Sequence, residues 1–161
     1  MPILGAKLIR VYPGVRGLSV PITQGKTLRI NITFQNIGNV TLDNVYFTAY
    51  IGDELTYSAG MDIATLEDYW QTERFQIGIN IGAADSTYVS NLPPGGTGSA
   101  YATIYIPPDL PAGLYDVGII LKMNYQGVWY LADAYHEDDA IEIKEAPKPA
   151  ASIVSVSYEE V

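Results

Sequence analysis

Residues 26–36 read KTLRINITFQN, and they alternate without a break. Leu28, Ile30, Ile32 and Phe34 fall on one side, and Arg29, Asn31, Thr33 and Gln35 on the other. A side-chain period of two belongs to a β-strand with one face on a core and one in water, as in an antiparallel sheet. Ile37-Gly38-Asn39 breaks the pattern, and LDNVYFTAYIG (42–52) begins a second strand, with Val45, Phe47 and Tyr50 among its apolar positions.

The same grammar continues down the chain. LPPGGTG (92–98) is a dense turn signal. In SAYATIYIP (99–107), Ala100, Ala102, Ile104 and Ile106 alternate with Tyr101, Thr103 and Tyr105. PDLPAG (108–113) turns again, LYDVGIILKMNY (114–125) is a further strand, and Gln126-Gly127 joins it to VWYLADAY (128–135) as a hairpin. AIEIKE (140–145) closes the domain with Ile141 and Ile143 on one face. Many short strands with turns between them, and no helices alternating with them, predict an all-β fold: an immunoglobulin-like antiparallel β-sandwich.

Residues 52–92 interrupt this frame as an insertion. MDIATLEDYWQ (61–71) predicts a short helix capped by Asp62, with Ile63, Leu66 and Trp70 on one face. RFQIGINIG (74–82) and STYVS (86–90) read as extra strands. The domain therefore spans 1–145. It is followed by a proline-spaced linker, 146–151, and a C-terminal extension strand, 152–161, in which Ile153, Val154, Val156 and Tyr158 are the apolar set. ASIVSVS (151–157) aligns with AKLIRVY (6–12), so the extension looks like the first strand of another copy. Pro147 and Pro149 stiffen the spacer, which favours reaching away over folding back.

Composition narrows the function. The 161 residues hold one ordinary domain, with no cysteine for disulfides or thiolate chemistry. No apolar run approaches the ~20 residues that span a bilayer. The start lacks the features of a signal peptide, so a mature form, a cut piece or another route out of the cell is expected. A net charge of −9 argues against nucleic-acid binding, which needs a basic face. The charge is also sorted along the chain: residues 1–42 carry Lys7, Arg10, Arg16, Lys26 and Arg29 and no acid, whereas acids dominate from Asp109 onwards. Either early and late strands lie side by side and compensate, or the module is dipolar and stacks head to tail.

Three stretches resemble a known family: Gly25 to Gly38, Leu92 to Ser99, and Pro111 to Val117. They are similar to the "G-(K/D)-T…N-x-G", "L-x-P-G-G/E-x-G/S" and "P-x-G-x-Y-x-(V/I)" patterns of the immunoglobulin-like repeats of archaeal S-layer-type surface proteins and of the bacterial cell-adhesion domain CARDB. The likeness covers most of 6–145 outside the insertion. It implies an extracellular or particle-surface role without catalysis.

Chemistry-bearing clusters are few. The only histidine, His136, lies in ADAYHEDDA (132–140) beside Asp133, Glu137, Asp138 and Asp139. The spacing matches no EF-hand, and a solvated acidic turn between two strands is the expectation, with no metal and no cofactor. No Gly-x-Ser-x-Gly or phosphate loop appears, and the chain is not expected to be an enzyme. Tyr57, Tyr69 and Trp70, with Trp129 and Tyr130 on the late hairpin, are candidates for a sugar-stacking platform; tyrosine also simply suits half-exposed strand positions. Asn31 and Asn39 open glycosylation sequons. The leading expectation is a structural module of a cell or virion surface, a decoration, turret or spike protein among the versions. It would assemble into homo-oligomers or with other coat subunits through strand addition by the tail. The alternative is a carbohydrate-binding or adhesive module using 52–92.

Overall fold

The computed structural model describes residues 1–14, 17–58, 60–73 and 80–147. Its elements, in chain order, are β1 (Ala6–Tyr12), β2 (Val20–Thr23), β3 (Thr27–Asn36), β4 (Leu42–Gly52), α1 (Ile63–Glu73), β5 (Asn80–Asp85), β6 (Val89–Leu92), β7 (Thr97–Tyr105), β8 (Gly113–Tyr125) and β9 (Val128–Lys144). They form an immunoglobulin-like β-sandwich. One sheet has the order β1-β3-β7; the other runs β2-β9-β8-β4-β5, with β6 also pairing with β4. All pairings are antiparallel except that of β2 with the end of β9, Val20 opposite Ile141 through Thr23 opposite Lys144. The apolar extension residues Ile153, Val154, Val156 and Tyr158 lie outside the described residues.

The core forms where the period-two faces meet. Leu28, Ile30, Ile32 and Phe34 of β3 and Ala100, Ala102 and Ile104 of β7 face Val45, Phe47, Ala49 and Ile51 of β4 and Val117, Ile119 and Leu121 of β8. The connections follow from local chemistry. Asn36, buried at the end of β3, donates through Nδ2 to the carbonyls of Val40 (2.8 Å) and Leu92 (3.0 Å) and accepts from Gly38 N (2.9 Å). One side chain thus closes the β3–β4 turn and ties it to β6. Gln126 and Gly127 both have positive φ, 52° and 80°, which gives the primed two-residue turn that suits strand twist. The Tyr115 hydroxyl donates to the Pro111 carbonyl (2.7 Å), pinning the turn that opens β8.

Two differences from the sequence reading matter. First, β9 is a single strand of 17 residues, so His136 sits in a ladder opposite Gly118 and not in a solvated turn. The strand passes through its acidic middle by bulging: between the Tyr115–Ile141 and Val117–Glu137 pairs, Asp138, Asp139 and Ala140 of β9 stand opposite Asp116 alone, which absorbs the irregularity without ending the pairing. Second, the early basic strands and the late acidic one belong to different sheets. The three-stranded sheet carries Lys7, Arg10 and Arg29 and no acid. The other sheet holds eight acids against Lys122 and Lys144. Of the early strands only β2 pairs with β9, and β2 has no charged residue; β1 meets β9 from the other sheet, where Leu8 N donates to Asp133 Oδ2.

Residues 52–73 cover the outer face of the larger sheet. Asp62 caps α1 by accepting from Thr65 N (2.8 Å), which also lowers its pKa. Leu66 and Trp70 then pack with Tyr50, Leu55 and Ile120 in a second core cluster. This accounts for Tyr50: it is apolar and buried, but on the opposite face of β4 from Val45 and Phe47.

Candidate functional site

The bulge in β9 and the covering segment before α1 together build a cleft of about 450 Å³, lined by Glu54, Leu55, Thr56, Tyr57, Asp116, His136 and Asp138. Asp116, the one β8 residue opposite the bulge, is buried. Its Oδ2 accepts from Leu55 N (3.0 Å) and its Oδ1 from Asp139 N (2.9 Å). Burial pushes the carboxyl pKa up, and the two backbone bonds hold it back. Asp139 itself has a left-handed backbone (φ 53°). His136 and Asp138, two residues apart on one strand, point to the same side. The imidazole is stacked on Tyr57, with ring centroids 4.9 Å apart and planes 6° apart, and Trp70 lies 6.2 Å away. Its Nε2 stands 3.2 Å from Asp138 Oδ1 and 3.9 Å from Asp116 Oδ2. Ligand atoms of Asp116, His136 and Asp138 all lie within 4.8 Å of one another.

The platform candidates separate. Tyr57 and Tyr69 are exposed, whereas Trp70 is fully buried and donates its indole N–H to the Thr56 carbonyl (2.7 Å). Trp70 is thus a core residue whose ring offers no surface to a ligand. Its helical spacing with Ile63 and Leu66 predicts that role; only the docking of α1 shows that the face is fully covered.

A different aromatic group stands on the open part of the larger sheet. Tyr46 and Tyr88 stack at 4.6 Å with planes 1° apart, and Trp129 meets both edge-on, at 5.1 and 6.0 Å. Tyr88 (55% exposed) and Trp129 (44%) carry the accessible faces, and Lys122 Nζ stands 5.5 Å from the Tyr46 ring centroid; Tyr130 is also exposed but, opposite Met123, lies on the other face of the sheet. Trp129 is foreseeable from its place in the hairpin. Tyr46 and Tyr88 are not, because they are distant in sequence and meet only through the β4–β6 and β4–β8 pairing.

The two edges of the smaller sheet differ. On β1 the register shifts between Leu8 and Arg10, and the Leu8 N–H donates to Asp133 Oδ2 across the sandwich (2.8 Å), which closes that edge. On β7 the even-numbered residues bond to β3, as Ile106 N does to the Lys26 carbonyl, so the odd-numbered ones turn outward. Thr87 occupies Tyr101 on both its carbonyl and N–H. Among the described residues, no strand pairs with the outer side of Thr103 and Tyr105. Both sequon residues are exposed; Asn39 uses its amide on Ile3 N and the Met1 carbonyl, and Asn31 accepts from Arg29 Nε.

Comparison with protein families and with curated proteins finds no match. Solved structures do match. The chain is similar to the C-terminal domain of wzt, with TM-score 0.55 and 12% identity over 91% of this chain and 78% of that one. It is also similar to the CARDB domain of the PF1109 protein from Pyrococcus furiosus, solved in complex with di-metal ions, with TM-score 0.45 and 10% identity over 90% and 96% of the two chains. A β-glucosidase from Listeria innocua matches with TM-score 0.41 and 11% identity, over 88% of this chain but 16% of the enzyme. At such identities the likeness is one of fold. Among the described residues no helix is long and apolar enough to cross a membrane.

Proposed function

We propose that this chain is a non-enzymatic structural module of a cell or virion surface, which assembles with copies of itself or with other coat subunits by strand addition at β7. The observation that carries the reading is the asymmetry of the smaller sheet. Its β1 edge is closed by a bulge and a carboxylate, while β7 offers the outward backbone groups of Thr103 and Tyr105 to an incoming strand. The extension 152–161, with the pattern of a first strand, is the natural donor. Charge sorting adds a second attraction, since a sheet bearing three basic residues and no acid complements the acidic sheet of a neighbour.

Deleting residues 150–161 leaves a folded domain and reduces the assembly to monomer by light scattering. Thr103→Pro does the same without the deletion, because the amide it removes faces away from β3. An unchanged oligomer size in either variant rejects the strand-addition reading.

A second reading, a carbohydrate-binding or adhesive module, has its own support in the exposed Tyr46–Tyr88–Trp129 group, a better stacking surface than the one that includes buried Trp70. With Trp70 buried, Trp129 reports on such binding. A fluorescence titration with polysaccharides that responds in the wild type and not in Trp129→Ala supports it; no response in the wild type removes it.

A further inference from the structure

We propose that His136, Asp116 and Asp138 form a binding site for a divalent transition cation of the zinc class, which fastens the 52–73 segment to the larger sheet. The proposal starts from one atom. His136 Nε2 is buried, in a side chain only 7% exposed, and it makes no hydrogen bond among the described residues. Asp138 Oδ1 is within reach at 3.2 Å, yet the N–H direction misses it. Burying a polar nitrogen without a partner costs about 1–3 kcal/mol, so an orphan beside two carboxylates calls for a third party.

The geometry suits a metal. Tetrahedral ligands at ~2.0–2.1 Å from zinc stand about 3.3–3.4 Å from one another. The observed separations from Nε2, 3.2 Å to Asp138 and 3.9 Å to Asp116, lie within about half an ångström of this, and the ligand atoms of all three residues fall within 4.8 Å of one another. The ring cannot easily turn away, because Tyr57 stacks on it. Asp116 is fixed by its two backbone donors. Asp138, whose side chain is 77% exposed, is the adjustable member.

The donor set selects the metal. An imidazole with two carboxylates suits zinc-like ions, whereas calcium takes six to eight oxygens. The remaining position opens on the cleft lined by Glu54 and Thr56, where a water or the Glu54 carboxylate completes the shell. The mechanical consequence follows from connectivity. Asp116 holds Leu55 N, and the imidazole packs between Tyr57 and Trp70, so an ion at this point clamps both ends of the 52–73 excursion.

The test is zinc titration of the chelator-treated full chain by calorimetry, with the imidazole signals of the single histidine followed by NMR. The expected result is saturable binding of one zinc ion per chain, a displaced His136 signal, a raised melting temperature and no comparable calcium binding. Asp138→Asn, at an exposed position that leaves the fold intact, weakens zinc binding about tenfold or more. An imidazole signal that does not move with zinc overturns the site and leaves His136 and Asp138 as a plain side-chain contact. Calorimetric binding that survives unchanged in both His136→Gln and Asp138→Asn overturns it equally, by assigning the ion to acids elsewhere.

Discussion

The contact between Trp70 and Gly118 decides whether α1 belongs to the folded core, and it can be tested by a pair of substitutions. Gly118 lies in β8 directly beneath the indole. A Cβ built there meets Trp70 Cζ3 at 2.8 Å and Cε3 and Cη2 at 2.9 Å, where ordinary contacts begin near 3.4 Å. Gly118→Ala therefore pushes the ring out by half an ångström or so, and the overpacking costs about 1–3 kcal/mol. Trp70→Ala removes a fully buried indole. At ~25 cal/mol per Å² over roughly 200 Å², the loss is about 5 kcal/mol, at the upper end of the ~3–5 kcal/mol usual for such truncations. The Thr56 carbonyl also loses its donor.

The diagnostic quantity is the coupling between the two sites. Once Trp70 is alanine, the added methyl at 118 meets no ring. Gly118→Ala then becomes neutral or stabilising by about 0.5–1 kcal/mol, because glycine is a poor strand residue. The cycle is read by urea denaturation followed by far-ultraviolet circular dichroism, with hydrogen exchange reporting α1 and β3 separately. The expected coupling is about 1.5–3 kcal/mol, with protection lost first in α1. Equal costs of Gly118→Ala in both backgrounds would refute the packing argument, since they would show that the methyl offends something other than the indole.

Further outcomes follow from other contacts. Asn36→Ala breaks three hydrogen bonds of a buried side chain and lowers stability by about 2–4 kcal/mol in the same denaturation assay. Glu67→Gln removes the carboxylate 2.9 Å from Lys122 and strands a mostly buried ammonium, costing about 1–3 kcal/mol; Lys122→Met strands the Glu67 carboxylate at a similar cost, whereas the double replacement Glu67→Leu with Lys122→Met is close to neutral. Lys122 keeps a raised pKa because the hydrogen bond and charge of Glu67 outweigh the lowering effect of burial. Burial likewise raises the phenols of Tyr46, Tyr50 and Tyr115. The native state thus holds these protons more tightly than the unfolded chain. Their stabilisation is complete below the ordinary phenol value and is lost as pH rises through the folded ones, so melting temperature falls above about pH 10. That alkaline slope is shallower in Tyr50→Phe and Tyr115→Phe.

Much of this molecule was determined by sequence alone, for a simple reason. Strand period, turn residues and helix caps are local, and each leaves its mark within a few residues. Thus 26–36 gave its inward face residue by residue, Gln126-Gly127 its hairpin, and Asp62 with Ile63, Leu66 and Trp70 its capped helix. Only tertiary structure could decide what depends on register and on which faces meet. A run of acids reads as a turn until a bulge at Asp138–Ala140 lets β9 keep its pairing with β8 and buries His136. A tryptophan reads as a surface platform until α1 is laid on Gly118. Tyr46, Tyr88 and Trp129 form one group because three pieces of chain, far apart in sequence, share one sheet. Where the charges go depends on which strands pair: the structure puts Lys7, Arg10 and Arg29 in the smaller sheet and the eight strand acids, with Lys122 and Lys144, in the larger one.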